Sequence, residues 1–137
     1  MPADSLSTIH WGRVVIGGVL SEAGVVAALG LVLVAFRFWI APGRPPAEYE
    51  AFTEHASYYF APGAAGVFTF LAAFWAVRQF HSGFVVNGTL VGAVAVVLTL
   101  GFFFTAKPEH RWMYGVSFVL RIVGGSGGGL MAYVLSR

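Results

Sequence analysis

Two ionisable residues, Glu22 and Arg121, each lie inside a long run of apolar residues. A charge in the hydrocarbon core of a membrane costs about 2.5–3.5 kcal/mol on insertion scales, so it usually marks a site. Three interpretations stay open. The two charges satisfy each other, directly or through Ser21, Ser117 and Thr99, and fix the order of the helices. Alternatively, Glu22 is protonated and donates a hydrogen bond to a carbonyl, or Glu22 exchanges a proton or cation as in a small antiporter. Arg121 nearby would oppose cation binding.

The depth of the two charges tests whether they meet. With the spans limited to residues 11–39 and 111–137, each charge lies toward the amino terminus of its own helix by about 4.5 Å, at 1.5 Å per residue. If the two helices run in opposite directions, their α-carbons differ in depth by about 9 Å. Side chains lean toward the amino terminus of their helix, which separates the charges further. Direct contact therefore requires an extended arginine and adjacent helices.

Other chemistry finds little support in the residue pattern. The chain has no cysteine, which excludes disulfides and thiolate metal sites. No serine–histidine–acid triad, phosphate loop or pair of catalytic carboxylates is present, so we predict no catalytic residue and no enzyme. The histidines lie at or beyond the ends of the apolar runs, which argues against a haem or chlorophyll held at membrane depth. They are His10, His55, His81 and His110.

A divalent metal site is the remaining candidate. Carboxylates and imidazoles that could ligate such an ion cluster in two connections on one side of the membrane. They are Glu50, Glu54, His55, Glu109 and His110. A solvated acidic loop accounts for the same residues more simply, so we predict no metal and no cofactor.

The composition defines the elements that must position Glu22 and Arg121. Of the 137 residues, 58% are hydrophobic and 10% are charged, and the mean hydropathy is +0.77. Soluble domains carry roughly 25% charged residues, so a soluble enzyme is excluded. The net charge of +2 comes from scattered residues and not from a basic stripe, which excludes a nucleic-acid-binding module. We therefore expect a single transmembrane domain over residues 1–137.

Four apolar runs approach the length of about 20 residues that a membrane-spanning helix needs. They cover about residues 14–36, 61–77, 84–106 and 112–135. Short second and third connections predict an all-α, antiparallel, up-down-up-down four-helix bundle in the membrane. The first connection is a long loop over about residues 40–60. Within it, residues 47–57 fit either a short interfacial helix or a solvated loop.

Small residues recur at helical spacing in each span, which favours close helix packing. Those that we assign to packing are Gly17, Ser21, Gly24, Gly88, Gly92, Ser117, Gly124, Gly125, Gly128 and Gly129. The fourth span carries two overlapping G-x-x-x-G pairs. These pairs serve either two neighbours within the chain, or one neighbour in the chain and one in a second copy of it.

The orientation in the membrane is weakly encoded. Residues 1–10 hold an acid and no cluster of cations, so we expect the first span to be retained and not cleaved as a signal peptide. The cations divide three against four between the two sides, which decides nothing by the positive-inside rule. We expect both termini in the cytoplasm, because the long acidic and aromatic connection would then be external.

The opening segment over residues 11–22, WGRVVIGGVLSE, resembles the start of uncharacterised bacterial four-helix membrane proteins of about this length. The likeness extends in pattern to residues 120–129, LRIVGGSGGG, where a cation precedes a glycine cluster. This resemblance implies a bacterial inner-membrane location and no established activity. Small multidrug resistance transporters are similar in having four helices and one embedded glutamate in the first, which Glu22 matches. Arg121 has no place in their cation pathway, and the aromatic and glycine pattern of their third helix is missing here.

From these features we expect a small non-enzymatic polytopic protein that acts as a scaffold, accessory or partner-binding subunit. The alternative is a proton- or cation-coupled transporter or channel that works as a dimer through Glu22. The expected partners are the lipid bilayer and either a second copy of the chain or a larger membrane complex, with no nucleic acid.

Overall fold

A computed structural model describes residues 9–137 as a bundle of helices, with no strand in that range. The helices are α1 (Trp11–Ala35), α2 (Pro46–Val77), α3 (Phe84–Thr105) and α4 (Arg111–Leu135). Each of the four is long and apolar enough to cross a membrane, which confirms a multi-pass, all-helical membrane protein. Residues 1–8, which bear on the expectation of a retained first span, lie outside the described residues.

Helix α2 is the longest helix, and this corrects the predicted loop over residues 40–60. It runs without interruption from Pro46 to Val77, so the segment over residues 47–57 is its first third and neither a separate interfacial helix nor a loop. Pro46 starts the helix at a position where a missing N–H is harmless. The sequence prediction failed because hydropathy marks the part of a helix that suits lipid, not the point where the helix begins.

The connection between α1 and α2 is correspondingly short. Helix α1 ends in a π-helical turn over Phe36–Ile40, and the ring of Phe36 stacks on Phe52 of α2 with 3.7 Å between centroids. The Tyr49 hydroxyl donates to the carbonyl of Ala41. Gly43 has φ +73°, a conformation that favours glycine and allows the tight reversal. The start of α2 is therefore held against the end of α1.

The helix contacts define the arrangement of the bundle. Helix α4 packs against α2 and α3, and α1 packs against the same two helices. Helices α1 and α4 are not among the closely packed pairs, so they occupy opposite corners of the bundle. Any direct link between α1 and α4 must therefore cross the interior.

One half of the bundle is packed backbone to backbone through glycines. A β-carbon added at Gly88 of α3 would lie 2.5 Å from the carbonyl oxygen of Gly125 and 2.9 Å from the α-carbon of Gly129 on α4. On the next face of α4, β-carbons at Gly124 and Gly128 would overlap the backbone of α2. Both G-x-x-x-G pairs of α4 thus pack inside the chain, one on α3 and the other on α2. Neither pair is left for the second copy of the chain that the sequence left open.

The opposite half of the bundle is loosely packed. Four glycines in this half would meet nothing within 4 Å if they carried a β-carbon. They are Gly30, Gly63, Gly101 and Gly115, one from each helix. We call the two parts the glycine-packed half, which contains Gly17, Gly88 and Gly125, and the open half, which contains these four glycines. The helices also enclose a cavity in the open half, which is lined by residues of all four helices.

Candidate functional site

Glu22 and Arg121 form a two-pronged ion pair inside the bundle. Arg121 donates from Nε to Oε1 of Glu22 at 2.7 Å and from Nη2 to Oε2 at 3.1 Å. Its third nitrogen, Nη1, donates to the hydroxyl of Ser117 one turn earlier on α4. The side chains of Arg121 and Glu22 are only 6% and 17% exposed. The planar guanidinium matches a carboxylate with two parallel hydrogen bonds, which is the strongest geometry that such a pair can adopt.

The pair forms although α1 and α4 are not adjacent. The depths of the two α-carbons and the direction in which their side chains lean predicted that direct contact would require neighbouring helices. In the structure, the two side chains meet across the diagonal of the bundle. The reason lies in the small residues around them. Gly92 lets the backbone of α4 approach α3 at Arg121 itself, and Ser21 and Ser117 are short buried side chains. Two long side chains can therefore span an interior that small residues leave narrow.

A cavity of about 300 Å³ lies above the ion pair in the open half, and Glu22, Ser117 and Arg121 line its floor. All four helices contribute to its walls, and the apolar wall residues include Val25, Leu29, Pro62 and Met113. Small-molecule sites range over about 300–1,000 Å³, so this cavity is at the lower limit of that range.

The mouth of the cavity is polar and aromatic. Glu54, Tyr58 and His110 line it, and the rings of Tyr58 and His110 lie 4.6 Å apart. Glu54 also pairs with Lys107 at 3.4 Å, but more than half of each side chain is exposed. Val26 and Phe102, which line the cavity as well, are 70% and 62% exposed on the sides of α1 and α3. The cavity is therefore accessible from the end of the bundle and from its flank.

Pro62 belongs to the wall of this cavity and is buried inside α2. Proline has no N–H, so it cannot donate the helical hydrogen bond that the carbonyl of Tyr58 would normally accept. The proline therefore weakens the helical bonding of α2 beside the mouth of the cavity. The hydropathy pattern gives no sign of this role.

Two further polar contacts connect elements of the glycine-packed half. The hydroxyls of Ser21 and Thr69 lie 2.7 Å apart and join α1 to α2. The side-chain oxygen of Asn87 on α3 accepts from the backbone N–H of His10 at 2.9 Å. Within residues 9–137, no buried side-chain nitrogen or oxygen lacks a hydrogen-bond partner. The polar residues of this half are thus part of the packing.

The predicted packing residues lie where close contacts occur. Gly17 faces Val91 and Ala76, and Gly24 faces the ring of Phe68. The candidate metal ligands, in contrast, do not assemble: among the described residues, no three acidic or histidine side chains come close enough together to hold an ion. Sequence reasoning did not identify the roles of Asn87 and Tyr58.

The geometry of the cavity floor is suited to binding a polar group. The floor of the cavity offers hydrogen-bond donors on Arg121 and acceptors on Glu22, and Ser117 can serve as both. The two charges neutralise each other, so the floor carries no net charge. No protein-family model, curated protein or solved structure matches the chain. The resemblance of the opening segment to bacterial four-helix membrane proteins therefore stays a prediction.

Proposed function

We propose that the protein is a small non-enzymatic subunit of the bacterial inner membrane, a scaffold or accessory protein built as an up-down-up-down bundle. The observation that carries this proposal is the two-pronged ion pair between Glu22 and Arg121. It joins the two helices that otherwise pack only through α2 and α3. The pair acts as a lock that fixes which helices occupy opposite corners.

The lock is tested by removing one charge or both. Arg121→Gln leaves a buried carboxylate without its partner, and breaking such a pair costs about 3–5 kcal/mol. Glu22→Gln costs less, because the amide oxygen still accepts one hydrogen bond. The variant with both substitutions should recover much of the free energy of unfolding that Arg121→Gln loses, because no buried charge is then left without a partner. The free energy of unfolding is measured in detergent micelles by titration with denaturing detergent.

Glu48→Gln is the control for this series, because among the described residues Glu48 forms an ion pair with Arg44 alone, and both side chains are at least half exposed. It should change the free energy of unfolding by less than about 1 kcal/mol. Additive losses in the double variant, equal to the sum of the two single losses, would refute the lock.

The proposed partner surface is the outward face of α1. This helix buries the smallest share of its membrane-spanning residues inside the bundle. Val15, Val19 and Val26 are among its exposed apolar residues. A photo-crosslinking residue at Val19 should join the protein to a partner in the native membrane, whereas the same residue at Val123 on α4 should not.

The proposed topology places both termini in the cytoplasm. Since the chain has no cysteine, each introduced cysteine is unique. Ser82→Cys and Ser136→Cys should be protected from an impermeant thiol reagent in intact cells, and Ala47→Cys and Lys107→Cys should react. The reverse pattern would invert the orientation, and reaction of Ser82 and Ser136 on different sides would refute the bundle.

A proton- or cation-coupled transporter acting as a dimer through Glu22 is the second candidate. The observation that favours it is the cavity, which reaches this carboxylate from one end. The test is flux into proteoliposomes. Transport through Glu22 requires flux with the wild type and loss of it in a folded Glu22→Gln variant, and lack of flux with the wild type would remove this candidate.

A further inference from the structure

The floor of the cavity is a carboxylate site that is already filled by a side chain of the protein. The carboxylate of Glu22 occupies the guanidinium of Arg121, and both side chains face a cavity of about 300 Å³. We propose that the cavity binds a small amphipathic monocarboxylate together with one proton, and that the carboxylate of this ligand replaces Glu22 on Arg121. This inference goes beyond the lock, since it states when the lock opens.

The charge of the floor decides which ligand can enter. Arg121 is the only cationic side chain fixed at the floor among the described residues, and Glu22 neutralises it. An anion that entered beside an ionised Glu22 would place two negative charges against one positive charge in a poorly hydrated interior, which is costly. If Glu22 takes up a proton, one ligand anion faces one guanidinium and the floor stays neutral. The anion and the proton therefore bind together.

A cationic ligand does not fit the same floor. It would have to draw Glu22 away from Arg121 and leave a guanidinium that is 6% exposed without its anion. The loss of one partner of a buried ion pair is strongly destabilising. An anion with a proton avoids this loss, because Arg121 keeps a carboxylate throughout the exchange.

The hydrogen bonds can also be conserved in the exchange. Nε and Nη2 of Arg121 donate to Glu22, and any other carboxylate can accept the same two bonds. Nη1 keeps its bond to Ser117. A protonated Glu22 gains one O–H donor, which the incoming carboxylate can accept on a remaining lone pair.

The walls favour a ligand with an apolar body. Val25, Leu29 and Met113 rise above the floor, so a hydrocarbon chain attached to the carboxylate would be covered by apolar surface. The exposed wall residues Val26 and Phe102 give such a ligand a route from the flank of the bundle. The expected ligand is therefore a short-chain or aromatic monocarboxylate.

The other titratable groups of the cavity lie toward its mouth. They are Glu54 and Tyr58 from α2, His110 before α4, and Tyr114 from α4. Helix α3 has no ionisable side chain. Because these groups do not contact the ion pair through any hydrogen bond, we assign the bound proton to Glu22.

The test compares hexanoate, hexanol and hexylamine, which share one chain and differ in charge. Binding is measured by equilibrium dialysis on the protein in lipid nanodiscs, with empty nanodiscs subtracted. Between about pH 6 and pH 8 a carboxylic acid with a pKa of about 4.5 stays ionised in solution. Hexanoate should bind about tenfold to a hundredfold more tightly than hexanol at the lower pH, and hexylamine should not bind above the blank.

Proton uptake is the second measurement, and it needs only the wild type. In weakly buffered solution, each bound hexanoate should remove one proton from the medium, and its dissociation constant should rise about tenfold per pH unit. Glu22→Gln should bind hexanoate without proton uptake and without this pH dependence. Arg121→Gln should bind hexanoate no better than hexanol.

Glu48→Gln is the control, since it removes an exposed carboxylate of α2 outside the cavity and should bind as the wild type does. Hexanoate binding no tighter than hexanol binding, or proton uptake that persists in Glu22→Gln, would overturn the proposal. Either result would leave the structural lock standing, because the lock is tested by the free energy of unfolding and not by binding.

Discussion

The contact between α3 and α4 makes Gly88 the sharpest test of the glycine-packed half. In Gly88→Ala the new β-carbon would lie 2.5 Å from the carbonyl oxygen of Gly125 and 2.9 Å from the α-carbon of Gly129. Close carbon–oxygen contacts between backbones are normally about 3.3–3.6 Å. Because the opposing atoms belong to the backbone, they cannot rotate away as a side chain could. The two helices must therefore separate by about 0.8–1 Å along this contact.

The size of the effect follows from that separation. A gap of about 0.5–1 Å already loses a quarter to a half of the dispersion energy of each contact that it opens. Overpacking of a tight interior typically costs about 1–3 kcal/mol. Alanine gains about 0.8–1 kcal/mol over glycine in helix propensity, which offsets part of this cost. The difference between these figures is an expected loss of up to about 2 kcal/mol of unfolding free energy in Gly88→Ala.

The matched control lies in the same helix. Gly101 of α3 would meet nothing within 4 Å, so Gly101→Ala should keep the helix-propensity gain and raise the free energy of unfolding by about 0.5–1 kcal/mol. Both variants are compared with the wild type in one micelle system, by titration with denaturing detergent and circular dichroism. Equal effects of the two substitutions, or a more stable Gly88→Ala, would refute the account of backbone packing.

Three further substitutions test the polar contacts. Thr69→Val removes the hydrogen bond between the hydroxyls of Thr69 and Ser21. It should cost about 0.6 kcal/mol of unfolding free energy in the same titration, which is the average for polar contacts between membrane helices. A loss several times larger would mean that the bond is part of a wider network. Asn87→Leu leaves the backbone N–H of His10 without its acceptor and should cost about 1–3 kcal/mol of unfolding free energy. Because this bond holds the start of α1 against α3, the chain before α1 should also be cleaved faster by protease. An unchanged rate of proteolysis would contradict this role of Asn87. Glu54→Gln breaks an ion pair that is more than half exposed on both sides and should change the thermal midpoint little, because such pairs are worth about 0–1 kcal/mol; a large shift would show that the mouth of the cavity is part of the core.

The fold class could be predicted from the sequence because membrane-spanning helices depend on length and composition alone. The second helix was predicted least well. Glu50, Glu54 and His55 lower the local hydropathy, and the span was therefore expected to begin at residue 61, whereas α2 begins at Pro46. A helix that leaves the hydrocarbon needs no apolar residues to continue, since its own backbone bonds hold it.

The candidate site could be predicted in its residues but not in its shape. Glu22 and Arg121 stand out because charges are rare in apolar runs. Their contact across the diagonal depends on which helices are neighbours, and no periodicity in one sequence encodes that. The packing of the two halves differs between glycines that are covered, such as Gly88, and glycines that are exposed, such as Gly101. Covered and exposed glycines are the same residue in the sequence, so the sequence alone does not distinguish them.

The unequal halves of the bundle also determine where an electric field would act. If water fills the cavity from its mouth at Glu54, the electrical potential of that side extends toward Glu22 and Arg121. The membrane voltage would then fall mainly across the half that contains Gly88 and Gly125, where the backbones of α3 and α4 are in close contact. A charge that crossed this half would experience most of the about 2.3 kcal/mol per 100 mV of a full crossing. Events confined to the cavity would proceed almost independently of voltage.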